Sequence, residues 1–185
     1  MINQRVKTQY EIVQDALYDW IEAVLSEKGF SCAIVWEINR GVRPKEPFIS
    51  LQMLGGSRCS FPWKSRVNKE TGERKTLFDM RKTVSIHGWG ERALERLDEI
   101  ADSISADTYR AMLREKGLVV NKITDVSLSA QDIANETEMH GYFDIAVTYI
   151  RVVIEKVGWI ENVGIQCDLP ANSEIDIQEE NNGRN

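Results

Sequence analysis

The longest run with a period of two extends from Gly141 to Glu155. Phe143, Ile145, Val147 and Tyr149 occupy its odd positions, and Tyr142, Asp144, Ala146 and Thr148 its even ones. One apolar side and one mixed side is the pattern of a strand with a single buried face. The run has no proline and no internal glycine, and at about 3.3 Å per residue it spans roughly 45–50 Å. It reads as the central strand of a sheet. At Arg151 the apolar set passes to Ile150, Val152 and Ile154. That change predicts a bulge, or a second half covered by something other than the core.

Other stretches supply the partners of this strand. Val13, Ala16, Leu17, Trp20, Ile21 and Val24 form one helical stripe. Thr8-Gln9-Tyr10-Glu11 fits a capping box before it, and Lys28-Gly29 a C-terminal stop after it. The spacing predicts a helix over Gln9–Lys28 with Trp20 as a core anchor. Ala33–Trp36 is a short strand, and Pro44 and Pro47 exclude a helix in the next segment. Phe48–Leu54 alternates, with Ile49, Leu51 and Met53 on its apolar side. Thr76–His87 does so too, with Phe78, Met80, Val84 and Ile86 opposite Asp79, Arg81, Thr83 and Ser85. These two strands should pair antiparallel. Gly90–Ile104 is helical through Leu94, Leu97, Ala101 and Ile104. A short helix capped by Ser105 or Asp107 then runs to Lys116-Gly117. Leu118–Leu128 holds one or two short strands, Asn135–His140 is a polar lead into the long strand, and Ile160–Cys167 reads as a further edge strand. This order predicts an α+β fold: a mostly antiparallel sheet with helices packed on one face.

Gly55 to Lys75 fits no simple element. It carries Arg58, Lys64, Arg66, Lys69, Arg74 and Lys75 against only Glu70 and Glu73, with Phe61-Pro62-Trp63 among the charges. Loops beyond about 15 residues are uncommon in compact domains and often functional. The segment reads as an extended basic hairpin or loop.

Composition narrows the class. The chain has 185 residues, 42% of them hydrophobic and 28% charged, which suits one domain over residues 1–168 and an acidic, disordered tail over 169–185. No apolar run reaches the roughly 20 residues of a membrane span, and Met1–Lys7 has no signal-peptide character. The expected setting is a cytoplasm or a particle assembled in one. Cys32, Cys59 and Cys167 form no C-x-x-C pair and read as reduced thiols. A net charge of −6 argues against a whole-surface nucleic-acid binder.

Candidate chemistry is sparse. His87 and His140 are far apart in sequence, and no zinc, serine-hydrolase or Walker signature occurs. Gly55-Gly56 lacks the Gly-Lys-Ser/Thr of a phosphate loop. The expectation is a non-enzyme without catalytic residues, cofactor or metal.

The order of several short motifs is similar to the phage neck or tail terminator proteins. They are Asp15-Ala16-Leu17-Tyr18-Asp19-Trp20, then Ile34-Val35-Trp36, then Arg43-Pro44-x-x-Pro47-Phe48-Ile49-Ser50-Leu51. Thr83-Val84-Ser85-Ile86, Gly117-Leu118, Asp125-Val126-Ser127-Leu128 and Glu136–Ile145 continue the layout, so the resemblance covers about residues 8–157. The chain departs from it at His140-Gly141, where members often have Arg-Ala. The resemblance implies a virion protein at the neck, assembled in the host cytoplasm, that caps the head-proximal end of the tail tube as a ring, commonly of six subunits. Such a ring ends tube polymerisation and meets the head–tail connector. The implied partners are further copies of the chain, the tube protein, the connector and the sheath, with DNA only passing through the lumen and no membrane. Arg58, Phe61, Trp63, Lys64, Arg66, Arg74 and Lys75 are the expected interface residues, with Ile150, Val152 and Ile154. The alternatives are another connector or head-completion component, or a DNA-binding module using the basic segment.

Overall fold

The computed structural model describes residues 8–37, 43–133 and 136–157, with residues 130–139 as backbone alone. Helix α1 (Gln9–Glu27) opens on the predicted capping box. The Thr8 hydroxyl accepts from the Glu11 amide at 3.3 Å, and the Thr8 amide donates to Glu11 Oε2 at 2.7 Å. Gly29, at φ 73°, supplies the left-handed backbone that turns the chain away. The stripe from Val13 to Leu25 is buried. Trp20 is fully enclosed, and its indole N–H donates to Ser103 Oγ at 3.0 Å, so the one polar atom of the ring is satisfied.

The sheet contains β1 (Ala33–Trp36), β2 (Phe48–Arg58), β3 (Trp63–Lys64), β4 (Glu73–Trp89), β5 (Leu118–Lys122), β6 (Ser127–Ile133) and β7 (Glu136–Lys156). Its main order is β1-β2-β4-β7-β5, with β3 on β4 and β6 on β7. Among the described strands only β1 runs parallel to its neighbour. The expected antiparallel pairing of β2 with β4 is present. β7 begins at Glu136 rather than Gly141, because Glu136–Tyr142 pairs with β6 and backbone hydrogen bonding needs no apolar period.

The β4–β7 ladder is unbroken from Glu73↔Lys156 to Trp89↔His140. β7 therefore has no bulge against β4. Ile150, Val152 and Ile154 keep even parity and lie opposite the core face throughout. The bulge lies instead in β2, between Met53 and Gly55.

Helices α2 (Ala93–Ser103) and α3 (Asp107–Glu115) join α1 on one face of the sheet. The cap of α3 is Ala106, not Ser105 or Asp107, and no side chain bonds there. Asp107 instead sits in the first turn, where a carboxylate favours the positive end of the helix dipole. Leu17, Trp20, Ile49, Leu51, Ile86, Leu97, Phe143 and Ile145 belong to one continuous core. The basic segment is built into the sheet: β2 extends to Arg58, β3 pairs antiparallel with β4, and β4 starts at Glu73. The edge strand expected at Ile160–Cys167 and the tail from 169 lie outside the described residues.

Two glycines decide how closely α2 approaches. Gly88 and Gly141 pair across β4 and β7 on the helix side, directly beneath Leu97. A Cβ at Gly141 would stand 2.6 Å from Leu97 Cδ1, and one at Gly88 would stand 3.0 Å from Leu97 Cγ. Neither position has room for a side chain unless Leu97 or the helix that carries it moves. Gly141→Val is expected to cost about 1–3 kcal/mol of stability, measured as a lower urea midpoint. An unchanged midpoint would show that α2 shifts freely.

Candidate functional site

Met80 and Tyr149 are the last residues of β4 and β7 that pack against the core on the way to Glu73 and Lys156. Beyond them Glu73–Phe78 still pairs with Arg151–Lys156, and β3 adds a third strand through Trp63↔Leu77 and Lys64↔Thr76. The result is a three-stranded arm. Its end is closed by hydrogen bonds of 2.8 Å from Gly72 N to Asn68 O and from Val157 N to Gly72 O. Ser65 N also donates to Lys75 O at 2.8 Å, which extends the pairing past β3.

Strand parity gives the arm two unlike faces. Trp63, Leu77 and Val152 are aligned across the three strands on the side facing away from the helices. Ile150 and Ile154 flank Val152 on that side, opposite Asp79 and Lys75. Trp63 is 62% exposed, and Ile150, Val152 and Ile154 are 50%, 49% and 57% exposed. Arg58, Lys64, Arg74, Phe78, Lys82 and Arg151 share the helix side. There the Arg58 guanidinium lies 4.3 Å from the Phe78 ring centroid, and Arg74 Nη2 meets Glu155 Oε2 at 3.1 Å.

The residues expected at an interface thus divide. Trp63, Lys75, Ile150, Val152 and Ile154 share the apolar face, while Arg58, Lys64 and Arg74 share the basic one. Phe61 is almost fully exposed between β2 and β3, and Arg66 lies between β3 and β4, off both aligned sets. Sequence reasoning left out Leu77, Phe78, Lys82 and Arg151. Once the register is known, their parity alone assigns each to its face.

A second cluster lies at the other end of the ladder, on the face without helices. Trp89 stacks on Phe48 at 5.7 Å and on His140 at 4.2 Å between ring centroids. His87 lies 5.4 Å from His140 and 5.9 Å from Tyr142. The Arg43 guanidinium caps the Trp89 ring at 4.6 Å. Trp89 Nε1 donates to Ser50 Oγ at 3.2 Å, and Ser50 donates onward to Glu37 Oε1 at 3.0 Å. The histidines are far apart in sequence, but the ladder places Trp89 opposite His140 and His87 opposite Tyr142. Both ring nitrogens of His87 are buried without a hydrogen-bond partner among the described residues. Burial pushes its pKa down, and Glu37 and Asp144 oppose that only in part. No group of metal-ligating side chains assembles among the described residues.

Fold and surfaces together define a small α+β protein whose distinctive chemistry is displayed on the two sides of a projecting β arm. A family model described as phage neck terminator protein matches residues 11–170, and the chain belongs to that family. It is accordingly a bacteriophage structural protein and a component of the virion. No curated protein matches the chain.

The half-buried His87 sets a pH dependence. Its folded pKa lies below the ordinary histidine value of about 6.5. Between the two values the unfolded chain takes up a proton that the folded chain does not. The His87 contribution to stability is therefore complete above pH ~6.5 and falls as the pH drops towards the folded pKa. The thermal midpoint is expected to fall on acidification through that range, and His87→Phe to flatten the fall. An equally steep fall in the variant would show that another group controls it.

Proposed function

We propose that this chain closes into a ring, of six copies as is common for such proteins, on the head-proximal end of the tail tube. The ring ends tube polymerisation and offers its other side to the head–tail connector. The family match over residues 11–170 carries this reading. Capping needs only that one ring face matches the last ring of the tube while the other does not repeat it. A heterologous contact that closes by rotation generates such a ring. DNA passes through the lumen, and the sheath is a further neighbour.

The arm supports the reading. Apolar patches that are rimmed by charge mark contact surfaces, and Trp63, Leu77 and Val152 are aligned beside Lys75 and Asp79. Burying them contributes about 25 cal/mol per Å² of apolar area. In the assembled neck this face is covered, and in the free chain it meets water.

Light scattering and negative-stain images of the purified chain are expected to show rings that bind the ends of tail tubes. Replacing Val152 and Ile154 together by Asp is expected to weaken ring formation or tube-end binding on the order of tenfold or more. The thermal midpoint should change little, because both side chains are about half exposed. A wild-type chain that stays monomeric and ignores tube ends would overturn the proposal.

A further inference from the structure

We infer that the basic face of the arm docks on the acidic helical layer of a second copy of this chain; the inference rests on the ring reading. α1 carries Glu11, Asp15, Asp19, Glu22 and Glu27 and no Lys or Arg. α2 carries Glu95, Asp98, Glu99 and Asp102, and its one cation, Arg96, is buried. Helical spacing collects these charges into stripes, Asp15-Asp19-Glu22 on α1 and Glu95-Asp98-Asp102 on α2. Glu22, Asp98 and Asp102 are exposed. Arg92 is paired with Glu95 at 2.6 Å and Lys28 with Glu99, and Lys122 adds its charge near Asp98 and Asp102, which leaves Asp19 and Glu22 on α1 as the carboxylates most available to a partner. Asp19 and Glu22 make no ion pair with any described residue.

The arm has the opposite balance. Arg58, Lys64, Lys82 and Arg151 share its helix side, where Glu155 is the one carboxylate among the ladder residues from Glu73 to Lys82 and from Arg151 to Lys156. None of these four cations forms an ion pair within the described residues. The Phe78 ring, 4.3 Å from the Arg58 guanidinium, adds an apolar floor beneath that charge.

The two surfaces cannot meet within one chain. They lie on the same side of one sheet, and the unbroken ladder fixes the arm beyond the core. A second copy brings the basic face of one arm against α1 and α2 of the next. This contact joins two different surfaces and therefore propagates head to tail until rotation closes it. Complementary charge also speeds and orients the encounter, at the cost of sensitivity to salt.

The test is a charge exchange. Arg58→Glu with Lys64→Glu is expected to weaken self-assembly by at least about tenfold in sedimentation, and Asp19→Lys with Glu22→Lys to do the same. Combining all four should restore assembly to within a few-fold of wild type, and NaCl at about 1 M should weaken the wild-type ring. Thermal midpoints check that each variant folds. If the wild type assembles and both reversals leave it unchanged, the docking is wrong and the ring reading stands. Failure of the combined variant to recover overturns the pairing. So does retained assembly with lost DNA binding in the Arg58→Glu, Lys64→Glu variant. A wild type that neither assembles nor binds tube ends instead overturns the ring reading beneath it.

Discussion

Seventeen residues of β4 pair with seventeen of β7 without a break in register, and the remaining structure is arranged around that ladder. β2 attaches along one edge, and β5 and β6 divide the other between them. Because parity never changes, a single alternation determines every face. Under the helices it yields Val84, Ile86, Phe143 and Ile145 as core. Farther along it yields Lys82, Phe78 and Arg151 on the same side, with Leu77 and Val152 on the other. One hydrogen-bond pattern thus builds a packed domain at one end and a two-faced arm at the other. The transition marks only where helical cover ends.

Much of this was legible in the sequence. The first helix, its capping box and Trp20 follow from helical periodicity and local hydrogen bonding, which depend on neighbours three and four residues away. The antiparallel pairing of Phe48–Leu54 with Thr76–His87 followed from alternation. Three features were not legible. The polar start of β7 pairs with β6 through backbone alone and leaves no periodic trace. The apolar set at Ile150, Val152 and Ile154 predicted a bulge or a half covered by something other than the core; the ladder there has no bulge, so the parity is constant and the burial changes. The extra residue lies beside Gly55, where β2 leaves the core. The histidine cluster depends on which residue of β4 faces which residue of β7, and register is a long-range property. Of the expected interface residues, eight lie on the two faces of the arm. Their division between those faces needed the ladder, and Phe61 and Arg66 lie off it.

Family membership and geometry address different questions. The match identifies a phage neck terminator; the structure identifies the parts of its surface that the isolated chain does not use internally. The core is closed by its own helices, with Leu97 seated on Gly88 and Gly141. Among the described residues no helix covers the arm. Its apolar row and the cations Arg58, Lys64, Lys82 and Arg151 lie on opposite faces, so the two can be engaged separately and by different neighbours.

The arm also has a mechanical character. It is continuous with the strands that carry the core and has no hinge at its base. A pull along its length loads many ladder hydrogen bonds in parallel, as shear, rather than one after another as in a peeling hairpin. A joint made through such an arm stays stiff in tension and delivers the strain to the β4–β7 strands beneath the helices. Under such a pull a contact made by the arm would fail at its side chains before the strands part.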